Sequence, residues 1–98
     1  MLEKIKKIQG INHNEFDDTI NMWIQAAKLD LKSIGIVDTL VDSNDSLIET
    51  AIITYVLSFL DVVNSELYDK SYQLQKDVLR HTSEYIGGEY PYNPPVSA

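Results

Sequence analysis

Residues 47–64, LIETAIITYVLSFLDVVN, decide the fold. At 100° per residue, Thr50, Thr54, Ser58, Asp61 and the following Ser65 collect into one polar stripe roughly 80° wide, and the remaining surface is apolar. A helix with so little polar surface has to be surrounded. It is therefore expected as the central element of the fold, or as one shared between subunits. Ser46-Leu47-Ile48-Glu49 fits the capping-box pattern and opens it. The stretch Leu47 to Val63 carries Glu49, Thr50, Thr54, Ser58 and Asp61 and is short of the about 20 apolar residues a bilayer span needs.

Upstream, Phe16, Ile20, Trp23, Ile24, Ala27, Leu31 and Ile34 fall within an arc of about 100° and predict a helix over residues 15–34. Asn14 is its expected N-cap, Asp17 and Asp18 suit the positive end of the helix dipole, and Gly35 ends it. Met22, Ala26 and Leu29 form a second, weaker stripe on another side of the same helix. That stripe is either a widening of the core face or a contact with a neighbouring subunit, and Met22, Ala26 and Leu29 are the candidate interface residues. Leu2, Ile5 and Ile8 opposite Lys4, Lys6 and Lys7, with Gly10 after them, predict a short first helix over 2–9 with its lysines on a solvated face. Residues 36–45 form a connection with room for one helical turn around Thr39.

Downstream, Asn64 to Lys70 breaks the pattern, and Ser71 is the expected cap of a last helix over 71–86. There Leu74, Val78, Leu79, Thr82, Tyr85 and Ile86 share an arc, and Gly87-Gly88 stops the helix. Residues 89–98, EYPYNPPVSA, hold all three prolines and have no helical or strand period. They are expected as an extended, mobile tail whose Tyr90, Pro91, Tyr92, Pro94 and Pro95 could anchor to another protein. The fold class is all-α: a small bundle of about four helices, residues 1–88, with the tail 89–98 beyond it. Its expected core is Phe16, Ile20, Trp23, Ile24, Ala27, Leu31, Ile52, Tyr55, Val56, Phe59, Leu74 and Val78.

Ninety-eight residues with 44 % hydrophobic and 23 % charged content fit one ordinary globular domain. There is no cysteine, hence no disulfide, thiolate metal site or cysteine nucleophile. Met1 to Gly10 lacks the apolar run of a signal peptide, and a cytosolic protein is expected. The net charge is −7, and between Ser33 and Asp69 there is no basic residue against seven acidic ones: Asp38, Asp42, Asp45, Glu49, Asp61, Glu66 and Asp69. Such a surface repels phosphate, so tight nucleic-acid binding is not expected, although DNA could slide past it without sticking.

His13 and His81 have no second histidine at ligand spacing. Asp42-Ser43-Asn44-Asp45 starts like a calcium loop but places Leu47 where glycine is needed and Ile53 where glutamate is needed. The four glycines make no phosphate-cradling loop, and no serine has a suggestive histidine and carboxylate. Asp17-Asp18 and Glu66/Asp69 sit at an expected helix start and in an expected loop, where acids have local reasons to be. Trp23, in the apolar stripe, reads as core. No enzyme activity, metal or cofactor is expected.

The order of parts, LEKIKKIQGI (2–11), DDTINMWIQAAKLDLKSIGI (17–36), LIETAIITYVLSFL (47–60) and SYQLQKDVLRHTSEYIGG (71–88), resembles the head–tail connector proteins of long-tailed bacteriophages, also labelled head-completion or DNA-packaging proteins. The shared features are a Lys-rich first turn, an Asp-rich helix start, Ile20-x-x-x-Ile24-x-x-Ala27-Lys28, and Ala51-Ile52-Ile53-x-Tyr55-Val56. They are helix-packing positions spanning residues 2–88; the tail does not contribute. The resemblance implies a structural protomer that assembles with itself, typically as twelve copies, into a ring under the portal. Such a ring extends the DNA channel and offers a platform for a stopper or tail protein. Its partners would be further copies, the portal protein and the stopper or tail-completion protein. DNA would pass without specific binding and no membrane would be involved. Its place would be the virion neck, and the host cytoplasm during assembly. The competing expectation from another class is a small acidic helical regulatory or adaptor protein acting as a dimer.

Overall fold

The computed structural model describes residues 1–87 and consists, over those residues, of helices and connections without strands. The helices are α1 (Leu2–Gln9), α2 (Asp17–Ser33), α3 (Asp38–Val41), α4 (Ser46–Leu60) and α5 (Ser65–Arg80), followed by a 3-10 turn, Ser83–Ile86. Four of the five α-helices are longer than two turns, and the single turn of α3 contains Thr39.

α4 is the centre, packed against both α2 and α5. Ile48, Ala51, Ile52, Thr54, Val56 and Leu57 are all buried, a set that runs most of the way round the helix. From α2 come Ile20, Ile24, Ala27 and Leu31, from α1 Ile5, from the segment after α2 Ile36, from α3 Val41, and from the C-terminal part Tyr72, Leu79 and Tyr85. The polar stripe of α4 does not face water throughout. Thr54 is buried and returns its hydroxyl to the Thr50 carbonyl (2.8 Å), while accepting from Gln75 Nε2 of α5 (3.2 Å). Ser58 offers its carbonyl to the Ser65 hydroxyl (2.6 Å). The stripe is thus spent largely on the seam with α5, and buried hydroxyls satisfied in this way carry little desolvation cost.

The contacts also fix directions. Ser58–Ser65 and Thr54–Gln75 make α4 and α5 an antiparallel hairpin across the turn 61–64. Trp23 stacks on Phe59 (5.6 Å), so the first half of α2 lies beside the end of α4. Asp30, near the end of α2, reaches Tyr72 and Lys76 of α5. α2 therefore runs antiparallel to α4 and in the same direction as α5, with Asp30 level with the middle of α5.

Several local expectations are corrected. Asp45, not Ser46, caps α4: its carboxylate accepts from the backbone N–H of Leu47 (3.0 Å) and Ile48 (3.1 Å). The same carboxylate accepts the Tyr85 hydroxyl (3.0 and 3.1 Å), which ties the C-terminal 3-10 turn to the start of the central helix. Asp45→Ala is therefore expected to lower stability by about 2 kcal/mol, the upper end for a cap, whereas Ser46→Ala should stay within about 0.5 kcal/mol. Parallel thermal melts check the pair. Asn14 does not cap α2, which starts at Asp17; its side chain instead accepts from Lys6 Nζ (2.8 Å). Lys6 is accordingly buried, not solvated, and also pairs with Asp17 (2.9 Å). Gly10 ends α1 in the left-handed region (φ 70°), and Gly87 does the same for the 3-10 turn (φ 83°), as a residue without Cβ allows.

The last helix differs most. α5 begins at Ser65, six residues before the expected cap Ser71, and ends at Arg80; Thr82 is extended before the 3-10 turn. Its inward side is Tyr68, Tyr72, Gln75 and Leu79. Leu74 and Val78, expected in the core, are 69 % and 61 % exposed. Phe16 and Phe59 are corrected too. Phe16 precedes the first turn of α2 and sets its ring edge-on to His13 (5.2 Å), half exposed. Phe59, at the end of α4, keeps one face on Trp23 and the other outward. Trp23 and Tyr55 are half-buried against the core, while Ile20, Ile24, Ala27, Leu31, Ile52 and Val56 are buried.

Candidate functional site

With the core filled by α4 and the inner faces of its neighbours, large apolar side chains remain on both outer helices. On α2, Met22 and Leu29 are 61 % and 67 % exposed, and Ala26 is half-buried between them. By helical geometry the three occupy an arc of about 60° on the side opposite Ile20, Ile24, Ala27 and Leu31. Met22 and Leu29 therefore stand apart from the core, on a face that nothing in the chain's described residues covers.

On α5 the exposed set is Leu67, Leu74 and Val78, at spacings that share a face. Leu74 and Val78, with Leu47, Thr50 and Ser71, line an open, mainly apolar groove of about 250 Å³ between α4 and α5. Gln75 forms part of its floor. Its Nε2 donates to Thr54 and Ser71 (3.2 Å each), and its Oε1 is buried with no partner among the described residues. The sequence carried this surface in the 67, 74, 78 spacing, but Leu67 falls in the expected break 64–70, and Leu74 and Val78 read as core until the competing inward set Tyr68, Tyr72 and Leu79 is recognised.

A third apolar area lies at the α4–α5 turn, where Val62 and Val63 are almost fully exposed and Phe59 adjoins them. The expected tail anchors Tyr90, Pro91, Tyr92, Pro94 and Pro95 lie outside the described residues.

A polar cluster links the two outer helices to each other. Tyr72 donates its hydroxyl to Asp30 (2.6 Å), Lys76 donates to the same oxygen (3.1 Å), and the ammonium of Lys76 sits over the Tyr72 ring (5.1 Å). Tyr55 packs edge-on to Tyr72 (5.1 Å) and tilts onto Phe59 (5.2 Å), completing a ladder from α5 through α4 to Trp23 of α2. Burial, then the hydrogen bond and charge of Asp30, push the Tyr72 phenol well above its ordinary value of 10.0. A tyrosine whose folded value is raised contributes fully below the unfolded value and progressively less above it. Stability is therefore expected to fall as pH rises past about 10, by up to about 1.4 kcal/mol per pH unit for this one proton. Tyr72→Phe should flatten that alkaline slope while lowering stability at pH 7 through the lost Asp30 bond. Melts from pH 8 to 11 read both effects.

The acidic segment is partly balanced in space, although no cation lies within it in sequence. Asp42 is approached by Lys28 (3.9 Å) and Lys32 (3.3 Å), and Glu49 by Lys4 (2.7 Å). Asp61 accepts from the Asn64 backbone and side chain, which holds its carboxyl below the ordinary 3.8. Asp38, Glu66 and Asp69 make no ion pair among the described residues. Among those residues no group of three or more His, Cys, Asp or Glu side chains is placed to hold a metal ion, and no helix is long and apolar enough to cross a membrane. His13 and His81 are exposed and far apart in sequence.

In comparisons with known proteins, a family described as "Phage connector protein" matches residues 1–86. No curated protein and no solved structure matches the chain.

Proposed function

Because the chain belongs to the phage connector protein family, a family of structural proteins, we propose that it is a head–tail connector protomer that assembles with further copies into a ring beneath the portal. The ring lengthens the DNA channel and gives a stopper or tail-completion protein its platform. It works in the virion neck after assembly in the host cytoplasm, and its task is holding and spacing, not turnover.

The observation that carries this reading, beyond the family itself, is the pair of uncovered apolar faces on α2 and α5. A monomer gains nothing from exposing Met22, Leu29, Leu67, Leu74 and Val78 together, whereas a protomer flanked by two neighbours buries both faces. The acidic balance suits a conduit: backbone phosphates find few unpaired cations to bind. The segment 89–98, with its three prolines and two tyrosines, is the arm proposed to hold the portal or an adjacent subunit.

Binding of duplex DNA to the purified protein is expected to be weak even at low salt. Tight binding that collapses as salt is added would remove the conduit from this reading. Deleting residues 89–98 should leave helicity and melting temperature nearly unchanged while weakening attachment to DNA-filled heads; normal attachment would show the arm dispensable.

A further inference from the structure

We infer that neighbouring copies meet α2 to α5: the Met22–Ala26–Leu29 face of one protomer packs on the Leu67–Leu74 face of the next, with Leu29 at the mouth of the groove beside Leu74. This rests on the ring reading and supplies its contact. Three observations carry it.

The first is direction. α2 and α5 run the same way within the chain, because each is antiparallel to α4. Copies related by rotation about an axis along the helices keep that direction, so α2 of one copy lies parallel to α5 of the next. A two-fold dimer would instead bring the same face together from both copies.

The second is height. Asp30 lies level with Tyr72 and Lys76, which it contacts. At about 1.5 Å per residue, Met22 then stands about 12 Å lower on α2, level with Leu67, and Leu29 stands level with Leu74. Rotation about an axis along the helices changes no heights, so a closed ring meets in this register without a rise between copies. The separation of Met22 from Leu29 equals that of Leu67 from Leu74, seven residues or about two turns, so both pairs meet together. Ala26, small and between the two, leaves room for the helices to approach near Lys70 and Ser71.

The third is area. Two or three apolar side chains a side cover only a few hundred Å², well short of the roughly 800 Å² per partner in a stable standard interface. The contact should therefore be weak for an isolated pair and persist where many copies close a ring or are held on a platform. That selects a heterologous ring contact over a free-standing dimer.

The chain has no cysteine, which makes the test clean. Single variants Met22→Cys, Leu29→Cys, Leu67→Cys and Leu74→Cys are prepared in the full chain. Circular dichroism of each checks the fold, which exposed positions should leave intact. Under conditions where rings are seen by electron microscopy, alone or on the cognate portal, a mixture of Leu29→Cys and Leu74→Cys proteins should form a disulfide dimer at least about tenfold faster than either variant alone. The Leu29→Cys/Leu74→Cys double variant should give a ladder of covalent oligomers, and Met22→Cys should crosslink to Leu67→Cys. Rings without these crosslinks overturn the α2–α5 contact and leave the ring standing. Fast crosslinking of Leu29→Cys to itself overturns it in favour of a two-fold contact. Absence of rings under every condition overturns the ring reading and this contact with it.

Discussion

Replacing Met22 and Leu29 together by lysine is expected to leave the helical content of the protein unchanged and to reduce its assembly on the portal by at least about a hundredfold. Both side chains are more than half exposed in the single chain, so lysine there meets water, and surface changes of this kind stay within about 0.5 kcal/mol of stability. In an assembled contact the same positions are apolar on both sides. Losing two buried apolar side chains removes at least about 3 kcal/mol, which is more than a hundredfold in affinity, before any cost of desolvating the ammonium groups. Circular dichroism gives the first quantity, and co-sedimentation with the portal gives the second. A variant that unfolds would return Met22 and Leu29 to the core, and one that assembles normally would remove them from the interface.

The second large effect is inside the fold. Ile52→Ala, in the centre of α4, is expected to lower stability by about 2–5 kcal/mol, because Ile52 is completely buried and the cavity left by its removal collapses only in part. For a chain of this size that is a fall in melting temperature of more than about 10 °C, and a large share of a total stability of roughly 5–15 kcal/mol. Leu74→Ala provides the contrast. A sequence reading that puts Leu74 in the core expects a similar loss, whereas the observed exposure expects less than about 0.5 kcal/mol. Comparing the two melts decides which side of α5 faces inward.

That contrast also shows where the sequence was legible and where it was not. The central helix announced itself, since an almost wholly apolar stretch of fifteen to eighteen residues has one use in a protein of this kind, and α4 is indeed enclosed. The core face of α2 was legible for the same reason: Ile20, Ile24, Ala27 and Leu31 step regularly and end buried. α5 was not, because it carries two stripes. Leu67, Leu74 and Val78 are the more hydrophobic, but Tyr68, Tyr72 and Leu79 are the ones turned inward, and what favours them is a hydroxyl that reaches Asp30 across 42 residues of sequence. No local period reveals such a partner. Asp45 and Lys6 were hidden likewise: the first acts on Tyr85, 40 residues away, and the second leaves the expected solvated face to reach Asn14 and Asp17. Charge followed the same rule, since a segment without cations in sequence meets Lys4, Lys28 and Lys32 in space. The candidate interface residues Met22 and Leu29 were visible as a second stripe, while of their proposed counterpart on α5 Leu74 was mistaken for core and Leu67 fell in the expected break between helices.

We propose this chain as one protomer of a ring at the neck of the virion. Electron microscopy of the full chain mixed with its cognate portal tests it most directly. The expected result is a closed ring of copies coaxial with the portal, each contributing α2 to one neighbour and α5 to the other, around a channel wide enough for duplex DNA. A compact two-fold dimer that stays in solution and adds no density to the portal would contradict it.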